Sequence, residues 1–211
     1  MRQKTNLLLS LCVLLMVAQM SFAQIYYSCD FEDAQENAQW VLNSGARGPL
    51  CESKWYIGGA GQFGVVGDSG LFVSSDAQNA TYKSTQAMYV VAYRELSLPV
   101  GSYNLDFDWR AMGNGSSAQI VVAWVPQTQA TNSNNVGTLA AWASNYQVGS
   151  SLYASKMWRP GRATITVTNA TQQGKLVFVW SSARDVAKPP SGCIDNIVIS
   201  VHIDYIIRIP F

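Results

Sequence analysis

Ser102-Tyr103-Asn104-Leu105-Asp106-Phe107-Asp108-Trp109-Arg110 is the most regular stretch of the chain. Tyr103, Leu105, Phe107 and Trp109 fall on one side of it, and Asn104, Asp106, Asp108 and Arg110 on the other. A period of two describes a β-strand with one face in a core and one in water. Working outward, Arg162 to Thr168 repeats the pattern, with Ala163, Ile165 and Val167 facing in and threonines facing out. Met88 to Tyr93, Ile120 to Val125, Leu176 to Trp180 and Ile194 to Ile199 are apolar on both faces, as expected of strands covered on both sides. Gly and Pro punctuate between them, at Pro99-Val100-Gly101, Gly113-Asn114-Gly115 and Pro189-Pro190-Ser191-Gly192. Only Asp33 to Trp40 suits a turn of helix. The pattern predicts an all-β protein of roughly nine to eleven strands in two packed antiparallel sheets.

The flanks set the compartment. Arg2 and Lys4 precede an apolar run from Leu7 to Ala18, and Ser21-Phe22-Ala23 follows it. A positive start, a short apolar core and small residues at the cut describe a secretory leader over residues 1–23. The apolar run falls short of the ~20 residues that span a bilayer, so no integral membrane protein is expected. One domain is expected over 24–200, with an apolar tail over 201–211 that the strand pattern does not explain. The chain carries 14 basic and 13 acidic residues, and only 13% of it is charged. Loss of Arg2 and Lys4 leaves it close to neutral, without the basic face that nucleic acid requires. Secretion or display at the cell surface is the expected location. There Cys29, Cys51 and Cys193 would form one disulfide and leave one thiol, in any of three pairings.

Chemistry is scarce. The single histidine, His202, lies in the tail and cannot build a zinc site or a hydrolase triad in company with unorganised cysteines. Gly58-Gly59-Ala60-Gly61 lacks the strand-to-helix setting of a phosphate loop. A glycosidase needs two carboxylates about 5–10 Å apart. Asp106, Asp108 and Glu95 are the candidates, but the first two sit where any strand shows its wet face. The residues point to no enzyme.

Two segments at the ends of the domain carry more. Cys29-Asp30-Phe31-Glu32-Asp33 stands near its start and Cys193-Ile194-Asp195-Asn196-Ile197 near its finish. Asp30 and Glu32 share a face if extended. Asp195 aligns with Ile197 and Ile199, and a carboxylate on an apolar stripe needs a partner. With little Lys or Arg nearby, a hard cation such as calcium fits that need. Between the ends, Gln127 to Gly161 is a long polar stretch interrupted by Trp142, Tyr146, Tyr153 and Trp158, and long loops of this kind are commonly functional. These four aromatics are the candidate ligand contacts, with folding back over a sheet as the alternative.

The end segments, together with Gly70-Leu71-Phe72-Val73-Ser74-Ser75-Asp76, Val91 to Leu96 and Leu98 to Arg110, resemble the MAM-like, concanavalin-type jelly rolls of bacterial surface proteins, including cleaved-adhesin and choice-of-anchor J domains. The likeness runs from about Tyr26 to Ser200. It implies a two-sheet jelly roll whose first and last strands lie side by side near a calcium ion. The implied ligands are Glu32 and Asp195, with Asp30 and Asp76 as further candidates, and Asn196 stands where the family commonly has a second Asp. It also implies a disulfide between Cys29 and Cys51, with Cys29–Cys193 as the competing pair. The function implied is a non-catalytic adhesion or binding module for glycan or a surface protein. A structural domain of a larger surface assembly is the second reading, and a glycoside hydrolase the third.

Overall fold

The computed structural model describes residues 24–201 apart from Ser84, Ser116 and 185–187, so the expected leader, His202 and most of the expected tail lie outside it. Ten strands are present among these residues: β1 (Ile25–Cys29), β2 (Trp40–Leu42), β3 (Lys54–Gly58), β4 (Gly70–Ser74), β5 (Met88–Ser97), β6 (Gly101–Ala111), β7 (Ala118–Pro126), β8 (Ser155–Val167), β9 (Gln173–Ser182) and β10 (Cys193–Val201). Two short helices accompany them, α1 (Ala34–Asn37) and α2 (Ala141–Asn145). α1 is the turn expected after Asp33, whose carboxylate caps it by accepting from the Gln35 amide at 2.7 Å.

The strands form two antiparallel sheets. Sheet A runs β3-β4-β10-β6-β8, with β1 also on β10; sheet B runs β2-β5-β9-β7. Between the sheets lies the main core, where Trp55, Leu105, Phe178, Trp180, Ile194 and Ile197 are fully buried or nearly so. The alternation of β6 is realised as read: Tyr103, Leu105 and Phe107 are buried against that core.

β10 holds the architecture together. β6 pairs along one of its edges. The other edge is shared end to end, by β4 at Cys193–Ile194 and by β1 at Ile197–Ser200. Where one partner hands over to the next, Asp195 opposes Asp108 but Val198 opposes Asp106, so β10 carries one residue more than β6. This β-bulge has Asn196 in the left-handed region, φ +49°. The extra residue corrects the expected alignment. Asp195 does not share a face with Ile197 and Ile199; it lies with Asp108 on the outer face of sheet A, while Ile194, Ile197 and Ile199 all enter the core.

Sheet B explains why its strands are apolar on both sides. Its outer face presents Val91, Val121, Val177 and Val179, and these are covered by the chain between β7 and β8. Leu139, Trp142 and Tyr146 pack onto that face. Past them the chain rises along β7, where Trp124 donates to the Tyr146 carbonyl and Ile120 exchanges backbone bonds with Leu152.

Candidate functional site

Two places outside the main core gather polar groups. The first is the seam where β1 and β4 meet on β10. Asp195 is fully buried there. Its Oδ1 accepts from the Asn196 amide at 2.8 Å and its Oδ2 from the Val66 amide at 3.0 Å. Glu32 reaches the same loop, where its Oε1 accepts from the Asp68 and Ser69 amides at 2.8 and 3.1 Å. Gly67 makes this approach feasible: its φ is +78°, and a Cβ on it would stand 2.3 Å from Glu32 Oε1. Burial pushes the Asp195 carboxyl up to about 7, and the negative charges of Glu32 and Asp108 push in the same direction against the two amide donors. Asp108 in turn accepts from the Asn196 side-chain amide at 2.9 Å.

The second place is a cleft of about 450 Å³ at the open side of the sandwich, between edge strand β8 and the 148–154 segment beside β7. Phe107 and Trp109 of β6 line it, with Ser150, Ser151 and Tyr153 from the segment and Arg159 and Arg162 from β8. Tyr153 is 46% exposed, so the cleft has an accessible aromatic residue at its rim. That ring lies over Gly115, whose φ is +79° and whose Cβ would meet Cε2 at 3.4 Å. Arg159 donates from Nε to Ser155 Oγ at 2.9 Å, and Arg162 Nε meets Asp106 Oδ1 at 2.5 Å. Register sends the two arginines to opposite faces of β8: Arg159 stands opposite Trp109, and Arg162 opposite Asp106, its ion-pair partner on the outer face.

No family model matches this sequence, and no curated protein aligns with it. Solved structures do match in three dimensions. The CBM22-1 xylan-binding domain of Xyn10C from Paenibacillus barcinonensis superposes with a TM-score of 0.51 at 12% identity, covering 86% of this chain and 97% of that one. The fold is a jelly roll. A cleaved-adhesin domain of Lys-gingipain from Porphyromonas gingivalis is also similar, with a TM-score of 0.46 at 14% identity over 84% of this chain and 98% of that one. So is a cyclase from Fischerella sp. TAU, with a TM-score of 0.47 at 9% identity over 86% and 100%. Identities this low report the path of the backbone, and function has to come from the residues of this jelly roll's own sites.

The expected metal ligands divide. Glu32 and Asp195 both accept from amides of one loop, at Val66, Asp68 and Ser69. Asp30 accepts from the Glu32 amide at 3.1 Å and lines a separate hollow of about 150 Å³ beside Asn196 and Val198. Asp76 belongs to the far end of β4, where it accepts from Ser74 Oγ and from the Gln78 and Asn79 amides at 2.8–2.9 Å and so caps its own turn. The Asn79 side-chain amide, donating to Oδ2 at 3.0 Å, and then those donors hold its carboxyl well below the usual range. Among the described residues no three His, Cys, Asp or Glu side chains converge as a metal cluster.

The four expected aromatics are not brought together either. Trp142 and Tyr146 cover sheet B. Trp158 packs on the opposite outer face against Phe72 and Cys193, with the Arg110 guanidinium 4.8 Å from its ring. Tyr153 alone reaches the cleft. The aromatic that sequence reasoning missed as a site residue is Trp109; it packs against the main core as its place in the alternation suggests, but it is only half-buried and lines the cleft wall.

The expected Cys29–Cys51 bridge is not formed, and Cys193 bonds with neither: all three are buried thiols. Cys29 sits on β1 opposite Ile197, whereas the Cys51 thiol faces the Arg47 and Asn134 carbonyls in the turn before β3. Of the glycosidase candidates, Asp106 and Asp108 share the outer face of β6 and Glu95 lies elsewhere. Glu95 is on sheet B, bonded to Gln127, while Asp106 pairs with Arg162 on sheet A and Asp108 with Asn196. No helix among the described residues is long and apolar enough to cross a membrane.

Proposed function

We propose that this protein is a secreted or cell-surface, non-catalytic module that binds a glycan in the cleft between β8 and the 148–154 segment. The observation that carries this reading is the cleft itself. Tyr153 and Trp109 offer ring faces to the apolar side of a sugar, and Ser150, Ser151 and Arg159 offer partners for its hydroxyls. Sites of this size with an aromatic wall and a few polar groups are typical for small ligands. A wall without carboxylates has no acid and base to cleave a glycosidic bond. The CBM22-1 and cleaved-adhesin likenesses are compatible with such a role.

Titration of the domain with oligosaccharides, followed by calorimetry and tryptophan fluorescence, tests it. Saturable binding is expected, weakened at least about tenfold in Tyr153→Ala, a loss of about 1.4 kcal/mol. Absence of binding across a broad glycan array would overturn the reading.

The seam supports a structural calcium ion as part of the same proposal. Two carboxylates brought to one loop, one of them buried, are donors that suit a hard cation, and loop carbonyls would have to supply the rest of its shell. Glu32 and Asp195 would hold the ion, which would neutralise Asp195 and lock the 64–70 loop onto β10. Asp30 and Asp76, each committed to its own turn, have no place in it. Micromolar to millimolar calcium should raise the melting temperature of the wild type and leave Glu32→Gln unmoved; equal responses would remove the ion from the account.

A further inference from the structure

Exposure sorts the cleft lining into two tiers. Phe107, Val122 and Ala163 form its floor; all three are buried and all are apolar. Trp109, Val148 and Leu152 pack against the main core and yet are only half-buried, so hydrocarbon surface stays open toward the cleft. The polar members lie nearer the mouth, where Ser150, Tyr153 and Arg159 are exposed. No buried residue of the lining carries a polar side chain. The slot is also narrow. Gly149, at φ +69°, passes so close to β8 that a Cβ on it would stand 3.2 Å from the Ala163 Cβ.

This division has a consequence for the ligand. A bare pyranose carries hydroxyls around its whole rim. Any that entered the slot would lose water and meet hydrocarbon, and an unpaired buried hydroxyl is costly. A short acyl group avoids that cost, because its methyl can lie on Val148 and Leu152 while its carbonyl oxygen accepts from a donor nearer the mouth. Arg159 is placed to be that donor. It stands opposite Trp109, its Nε donates to Ser155 Oγ at 2.9 Å, and its terminal nitrogens are bonded to no described residue. A neutral carbonyl can take one or two of those N–H groups.

We infer that the cleft selects an acylated saccharide, one bearing an N-acetyl or O-acetyl group, with the sugar ring at Tyr153, the acyl methyl on the apolar floor and the acyl oxygen held by Arg159. This inference rests on the cleft being the glycan site.

The test compares two matched pairs: a glucose trimer against the N-acetylglucosamine trimer of the same linkage, and a xylose oligomer against its O-acetylated form. In at least one pair the acylated member should bind at least about tenfold tighter, the combined effect of one buried methyl and one hydrogen bond from a charged donor. That gap should persist in about 0.5 M sodium chloride, since both members are neutral and screening acts on charges. Val148→Thr keeps the shape of the side chain but sets a hydroxyl on the floor, and it should narrow the gap. Equal affinity within both pairs would overturn the inference while leaving the glycan reading intact, as would a gap that closes in salt or is unmoved by Val148→Thr. Failure of every probe to bind the wild type would overturn both.

Discussion

The chain between β7 and β8 has one composition and two fates. Its first half sinks Leu139, Trp142 and Tyr146 onto sheet B; its second half leaves Tyr153 46% exposed above a cleft. Nothing in the two local sequences separates them. The difference lies in what they face. Val91, Val121, Val177 and Val179 make an outer surface that must be covered, since each fully buried aliphatic side chain contributes about 1.5–3 kcal/mol. Tyr153 instead stands over Gly115 at the rim of the cleft, where it stays partly exposed. An aromatic in a polar loop is therefore a cover or a contact according to its partner surface.

The contrast can be broken most forcefully at Trp142. Trp142→Ala should cost about 3 kcal/mol of stability by uncovering sheet B, measured by denaturant melting, with glycan affinity unchanged. Loss of affinity at constant stability would reverse the assignment of the two halves. Sheet A offers a polar counterpart, because the 64–70 loop covers a carboxylate there instead of valines. The folded Asp195 carboxyl, at about 7, lies above its ordinary unfolded value near 4. The folded state then holds a proton the unfolded state has lost, so stability should fall as pH rises through that window. Between about pH 5 and 7.5, with a chelator present, the loss should be about 2 kcal/mol, and Asp195→Asn should abolish that slope. An unchanged slope in the variant would show that the carboxylate is already compensated.

Tyr153→Ala comes next, with an expected stability change within about 0.5 kcal/mol, as for other exposed side chains; a larger loss would make Tyr153 a second cover. The smallest effect expected is that of reductant. With Cys29, Cys51 and Cys193 all thiols, dithiothreitol should leave the melting temperature unmoved. A bridge closing the loop between Cys29 and Cys51 would contribute about 3 kcal/mol and betray itself as a drop of several degrees. Burial raises all three thiols above their ordinary value, Cys193 to about 11, so the native protein should also resist alkylation at neutral pH.

The strands that alternate or bury both faces were legible, because period and composition are local. β6 spans 101–111 around the quoted stretch, and β5, β7, β9 and β10 contain the expected apolar runs. β8 was legible only in its second half. Its start, Ser155 to Gly161, reads as loop because Pro160 and Gly161 interrupt it, yet an edge strand tolerates a proline whose missing donor would face away from the sheet. Asp195 was placed on the wrong face by a single residue, since a period-two reading has no means of seeing the bulge at Asn196. The likeness of the end segments singled out Glu32 and Asp195, which both bond to the loop before β4. The cleft was not, for its walls come from β6, β8 and a connecting segment, and only the tertiary fold brings Trp109, Tyr153 and Arg159 within reach of one ligand.

The handover of β10 from β4 to β1 has a mechanical corollary. Gln24 and Val201 are joined by a backbone hydrogen bond of 3.0 Å, and β1 runs antiparallel to β10 from that point. Tension applied through these two positions would act across the ladder, rupturing its rungs one after another like a zipper instead of shearing them all at once. Such a domain would yield early under load, let β1 peel away, and leave the pairing of β10 with β6 to resist the pull.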